Sequence, residues 1–207
     1  MLGLFLDTFV ILFVVVDPIG LAPIFAAITQ GGTREYRRRM AVRGTVIAGV
    51  ILFVFALVGA ELLRALGIGM PAFQIAGGIL LFLVAIDMVF ALHSGIRSTT
   101  EREQREAELK ADVSVFPLAF PLIAGPGALT TVLLMAGRYA ETPRLVLMVL
   151  AVVVIVLLLV LATLLQADRI MRWIGETGTN VVTRVLGVVL AALAVQYVLD
   201  GLRAGFA

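Results

Sequence analysis

Apolar residues fall into six long blocks, separated by short stretches that hold nearly all of the charge. A helix that crosses a bilayer needs about 20 mostly apolar residues. Six segments meet that length, roughly 2–30, 43–63, 71–92, 113–138, 145–165 and 181–203. The fifth is the plainest: Thr163 is its only polar residue, and Pro143 stands two positions ahead of it, as helix starts favour. The first and fourth are interrupted in the middle. Asp17-Pro18-Ile19-Gly20-Leu21-Ala22-Pro23 breaks the first, and Pro121-Leu122-Ile123-Ala124-Gly125-Pro126-Gly127 breaks the fourth. Proline removes a backbone donor and clashes with the preceding turn. A carboxylate inside a hydrocarbon-length segment is costly and by default functional. Two broken segments, one in each half, are the pattern that marks a binding site in transporter folds. The pattern predicts an all-α membrane protein with a single transmembrane domain over residues 1–207, helices 1 and 4 unwound at 17–23 and 121–127.

The two halves resemble each other. Under a shift of 108 residues, Pro18 falls on Pro126, Arg64 on Arg172 and Gly67 on Gly175. After a two-residue insertion, Gly77 falls on Gly187 and Leu80 on Leu190. This predicts two three-helix repeats, 1–92 and 113–207, joined by a linker at 93–112. Three is odd, so the second repeat enters the membrane from the opposite side, giving an inverted repeat with a pseudo-twofold axis in the membrane plane. Within the linker, Thr100-Glu101-Arg102-Glu103 has capping-box spacing, and Glu101 to Arg105 and Glu106 to Lys110 are i,i+4 pairs. It reads as a short solvated helix.

Composition adds exclusions. The chain is 61% hydrophobic and 14% charged, too apolar for a soluble domain. A net charge of +2 implies no nucleic-acid partner. There is no cysteine and one histidine, His93, so neither a thiolate nor a His-cluster metal site is expected, and no cofactor is implied. The start Met-Leu-Gly-Leu-Phe-Leu-Asp has no basic stretch, so the first helix is expected to be retained. Of 16 Lys and Arg, twelve fall in the loops after helices 1, 3 and 5. That bias places those loops in the cytoplasm and both termini outside it. Trp173 and Tyr139 fall near helix ends, as interfacial aromatics do.

The breaks suggest their chemistry. Backbone groups freed inside a membrane must be buried in protein or line a wet cavity. Asp17 suits an N-cap, with Pro18 at the first helical position. Gly125-Pro126-Gly127 leaves amides uncovered by side chains, and Thr130 and Thr131 follow in the next half-helix. Helix N-termini carry partial positive charge and free donors, which suits the carboxylate of a small zwitterion. Asp17 reads either as a cap alone or as a group that meets a substrate ammonium or a proton. Thr130 and Thr131 read equally as back-bonded to helix carbonyls. Gly77, Gly78 and Gly187 read as close-packing positions. Glu61 and Arg64 read as a local pair, Asp87 as interfacial and His93 as a loop residue. Gln74 and Gln196 lie within helices 3 and 6, where either could face a cavity.

At these residues the chain resembles a known family. Asp17-Pro18-Ile19-Gly20-Leu21-Ala22-Pro23-Ile24-Phe25, Ala76-Gly77-Gly78-Ile79-Leu80-Leu81, Pro121-Leu122-Ile123-Ala124-Gly125-Pro126-Gly127-Ala128 and Arg184-Val185-Leu186-Gly187 are similar to the MarC family of bacterial and archaeal inner-membrane proteins. The resemblance covers nearly the whole chain, and its two Pro/Gly motifs are the specific ones. It implies a secondary transporter or exporter of small neutral amino acids such as glycine and alanine, in the cell inner membrane, with protons as the coupling ion proposed for the family. Asp17, Pro18, Gly20, Pro23, Gly125, Pro126, Gly127, Thr130 and Thr131 are the expected substrate-binding residues. The expected partners are the amino acid, the lipid bilayer and protons; a homo-oligomer stays open. Competing classes are an exporter of drugs or other small molecules, a non-transport membrane protein and an intramembrane enzyme. A drug site would want more aromatics than 8%. Without a cysteine or a helix-buried histidine an enzyme is not expected.

Overall fold

Eight helical elements account for nearly all of residues 2–90 and 112–206, the part of the chain described by the computed structural model. They are α1 (Leu2–Val16), α2 (Pro18–Ile28), α3 (Arg34–Ala65), α4 (Met70–Phe90), α5 (Ser114–Ile123), α6 (Pro126–Arg138), α7 (Pro143–Leu165) and α8 (Ala167–Phe206). The predicted solvated helix at Thr100–Glu103, and His93, lie outside the described residues. There are no strands among the described residues. The chain is an all-α membrane protein. Five helical stretches are long and apolar enough to cross a membrane, and α5 with α6, bent by 59°, forms a sixth.

Contacts show that the bent pair runs from one face to the other. At its start Asp112 is paired with Arg43 at 2.8 Å. The Ser114 carbonyl lies beside Gly44, 3.2 Å from where a Cβ would stand. At its end, Gly137 packs against Met70 and Ala60, at the far end of α3. From Gly44 to Ala60 a helix rises roughly 24 Å at about 1.5 Å per residue, most of the hydrocarbon core. Asp112 anchors the entry. Its Oδ1 accepts from the Ser114 hydroxyl at 2.5 Å and from the Ser114 amide at 2.9 Å. These bonds, with Arg43 beside them, hold its carboxyl below the usual carboxylate range.

α3 is the scaffold. Its 32 residues would span about 48 Å, so its first turns stand beyond the hydrocarbon. One stripe of it is buried and built of small residues: Ala41, Gly44, Thr45, Ala48, Gly49, Ala56 and Gly59. Three of its glycines receive leucines from three other elements, Leu118 of α5 at Gly44, Leu157 of α7 at Gly49 and Leu133 of α6 at Gly59. Its opposite face, Val46, Val50, Val54 and Leu57, is exposed and faces lipid.

α4 and α8 pack antiparallel, glycine against backbone. Gly201 lies against Pro71 and Ile75, Gly78 against Ala194 and Val198, and Gly187 against Met88 and Val89. Small residues allow backbones to approach closely where no hydrophobic force acts between helices. α8 begins as a short helix on one face, turns at Gly175 (φ 69°, ψ 174°), then crosses. Trp173 stands exposed at that turn, and Tyr139 caps α6. Four sequence expectations fare differently. Glu61 and Arg64 pair at 2.8 Å as expected. Asp87, near the end of α4, is buried in the protein. Gln196 is exposed and donates to Asp200 at 2.7 Å, whereas Gln74 is buried.

Replacing Gly78 by Ile should destabilise the protein by roughly 1–3 kcal/mol, the usual cost of overpacking. A Cβ there would stand 2.8 Å from the Ala194 carbonyl oxygen, which cannot swing away. Gly3→Ile, with nothing within 4 Å, should leave the melting temperature in detergent unchanged. Equal melting shifts for the two variants would refute the backbone-contact reading.

Candidate functional site

The first break is a single residue. Asp17 alone leaves the helix, at φ 46° and ψ 70°, while Pro18–Ile28 is already α-helical with Pro23 inside it. The sequence expectation of unwinding over 17–23 is therefore too wide. Backbone bonding closes around the break: the Asp17 amide donates to the Phe13 carbonyl at 2.9 Å, and the Leu21 amide to the Asp17 carbonyl at 3.2 Å. A left-handed conformation at a non-glycine residue is uncommon, and Asp and Asn tolerate it best. Such strain persists only where surrounding structure holds it, and it clusters at functional sites.

What holds Asp17 is on the page. It is fully buried. Its Oδ1 accepts from the Gly20 amide at 3.0 Å, the N-cap bond. Its Oδ2 accepts from the Thr183 hydroxyl of α8 at 3.2 Å. Gly20 is needed for this arrangement: a Cβ there would overlap Asp17 Oδ2 and lie 2.8 Å from Thr183 Oγ1. The carboxylate thus caps α2 and also reaches into the other half of the chain. Pro23, one turn on, removes the donor that would serve the Ile19 carbonyl.

The second break is longer than predicted, running over 116–125 rather than 121–127. α5 is a π-type segment with extended residues at Phe116 (φ −129°) and Phe120 (φ −134°). Each precedes a proline, Pro117 and Pro121, and the residue before proline is pushed out of the α region. Both X–Pro bonds are cis. After Ala124, α6 starts at Pro126 with Gly125 as its N-cap and no side chain capping it. The Gly127 and Ala128 amides then have no acceptor within the helix. Gly125 must be glycine, since a Cβ would overlap the Pro121 carbonyl oxygen.

The two breaks meet. Gly127 packs between Val15, two residues before Asp17, and Leu81 of α4; a Cβ would lie 3.3 and 2.8 Å from their methyls. Beside this contact is a void of about 20 Å³ lined by Val15, Val84, Pro121, Gly125, Pro126, Gly127 and their neighbours. That is room for roughly one water and not for an amino acid, so the junction is closed.

Thr130 and Thr131 lie in the second turn of α6, not the first. Thr130 meets Gly77, whose missing side chain makes room for its methyl. Thr131 does not bond back to the helix: its hydroxyl is buried without a hydrogen-bond partner among the described residues, and so is that of Tyr197 on α8. The two lie close enough to influence each other, yet no bond of acceptable geometry joins them. Sequence reasoning missed Thr183 and Tyr197. Both are isolated hydroxyls in the sixth apolar segment, and an intramembrane hydroxyl is itself a signal.

The fold and these junctions define a multi-pass α-helical membrane protein with paired helix breaks in its interior. The chain belongs to the MarC family integral membrane proteins, whose profile matches residues 2–206. It is similar to a UPF0056 membrane protein of Archaeoglobus fulgidus, 35% identical over 202 residues, covering 97% of this chain and 93% of the relative. It is also similar to the UPF0056 membrane protein YvbG of Bacillus subtilis, 32% identical over 206 residues, covering 100% of this chain and 97% of that one. No solved structure matches the chain.

The Asp17–Thr183 contact should show as an interaction energy. Asp17→Asn and Thr183→Val, made singly and together, should be non-additive in melting stability by roughly 0.5–3 kcal/mol, as contacting residues are. Additive effects would mean that the two groups do not meet.

Proposed function

We propose that the protein is a secondary transporter of small neutral amino acids, acting as a carrier and not as an enzyme. The observation that carries the reading is the packing of Gly127 against Val15, which brings two interior helix starts, at Pro18 and at Pro126, to one junction. Helix N-termini offer several donors and partial positive charge without a charged side chain. That suits a carboxylate which must be released again. The Gly127 and Ala128 amides would take the substrate carboxylate, and Asp17 would take its ammonium or a proton. The closed junction is then one state of a carrier, and substrate entry requires the breaks to part.

An inverted repeat belongs to the same reading. Gly67 and Gly175, which coincide under the 108-residue shift, both have left-handed φ, 70° and 69°. The contact of Gly187 with Met88 maps, under the 110-residue shift, onto Gly77 and Val198, one residue from the observed contact of Gly78 with Val198. Both facts support a pseudo-twofold relation between residues 1–92 and 113–207.

Flux into proteoliposomes is the test. Asn is still an adequate N-cap, so Asp17→Asn should fold yet lose pH-dependent uptake of glycine or alanine. Gly127→Val should lower transport well before it lowers the melting temperature. An amino acid amide, lacking the carboxylate, should compete poorly, since one charged hydrogen bond is worth about 1.5–3 kcal/mol. Equal competition by amide and free acid would remove the carboxylate from this junction. Absence of flux for every neutral amino acid tested would sink the transport reading.

Topology is separately testable. The charge bias supports a cytoplasmic position for the face that carries Arg37, Arg43 and Asp168. Reporter tags fused at either terminus should both read outside the cytoplasm, and a terminus reporting from within it would overturn the assignment.

A further inference from the structure

A cavity lies away from the breaks. It measures about 850 Å³ and sits at the Arg-rich face, lined by Gly32, Arg34, Glu35, Arg37, Arg38, Leu164, Leu165 and Asp168. Its volume falls in the range of small-molecule sites. Its floor is the end of α7, where the apolar span stops; Leu164 is buried and Leu165 is exposed. Its wall is the first two turns of α3.

The arginines on that part of α3 are not equivalent. Arg37 is fully engaged: it donates to both Asp168 oxygens at 2.6 and 2.7 Å, donates through Nε to Thr29 at 3.0 Å, and lies over the Phe25 ring. Arg39 pairs with Glu35 at 3.4 Å and Arg43 with Asp112 at 2.8 Å. Arg34 and Arg38 have no acidic partner among the described residues. These two are one helical turn apart, both exposed, and both line the cavity; Arg39 and Arg43 do not. They also stand near the N-terminus of a long helix, where the dipole already disfavours cations. Among the described residues, two guanidiniums thus stand without an acidic partner over an apolar floor.

We propose that this cavity binds the headgroup of an anionic phospholipid, with Arg34 and Arg38 on the phosphate and acyl chains descending past Leu165. Guanidinium matches phosphate oxygens in bidentate geometry, and basic pockets between helices at a membrane face are suited to such headgroups. A soluble phosphate would use the arginines but not the leucine floor.

The full chain, purified in neutral detergent, is titrated with phosphatidylglycerol, with phosphatidylcholine and with inorganic phosphate, following melting temperature and lipid adducts by native mass spectrometry. Phosphatidylglycerol should stabilise and form adducts, and the other two should not. R34Q/R38Q should weaken phosphatidylglycerol binding roughly thirtyfold, about fivefold for each charge lost at an anionic surface; R39Q should leave it unchanged. R38Q alone, about fivefold weaker, keeps the test open should the double variant not fold. Equal effects of the two lipids, full binding by R34Q/R38Q and R38Q, or reproduction of the stabilisation by inorganic phosphate would each overturn the proposal.

Discussion

Inside a bilayer no water is at hand for a free amide or carbonyl, and each unsatisfied backbone group costs several kcal/mol. A helix broken there must have its exposed backbone covered by the rest of the protein. The two breaks solve this differently. At Asp17 the backbone bonds continue on either side of one left-handed residue, and the side chain itself accepts the Gly20 amide. At α5 the spacing widens to i→i−5, as in Leu118 to Val113 at 3.2 Å and Ala124 to Ala119 at 2.9 Å, so donors find carbonyls despite Pro117 and Pro121. Neither break is loose coil. What remains uncovered is the start of α6, where Gly125 brings no capping side chain, and that start is turned inward against Val15.

Coverage of this kind demands close approach, and the small residues provide it. Gly44 and Gly59 of α3 accept Leu118 and Leu133 from the two halves of the broken span, holding α5 and α6 against one straight helix. Gly77 accepts Thr130, and Gly127 accepts Leu81. Between helices in lipid, packing and hydrogen bonds replace the hydrophobic driving force. Glycine in a helix interior costs about 1 kcal/mol against alanine, so its recurrence at each of these crossings reflects geometry and not propensity.

The segments and the two break positions were legible in the sequence because apolar length, proline and glycine are local signals. The extents of the breaks were not. Pro18 and Pro23 look like a wide interruption, yet Pro18 sits at a helix start where its missing donor is harmless, and Pro23 is absorbed within α2. Conversely Pro117 reads as part of an apolar run, but with Pro121 four residues on it puts Phe116 and Phe120 in extended conformation. Thr183 escaped notice because its bond to Asp17 joins residues 166 apart in the chain. The register that places α8 beside α2 is set by glycine contacts with α4, which no local pattern displays.

That long-range bond also changes how α2 behaves mechanically. The helix has 11 residues, too short to be stable alone in water, and is held at both ends by α8. At its head Asp17 takes the Thr183 hydroxyl. At its foot Thr29 takes Arg37 Nε, and Arg37 is clamped on Asp168. The foot contact is partly exposed to water and is screened by salt. The head contact is made to a fully buried carboxyl group, whose partner Thr183 is half-buried. The two contacts therefore bear on opposite ends of α2, and Val15, on which Gly127 packs, lies only two residues from the one at the head.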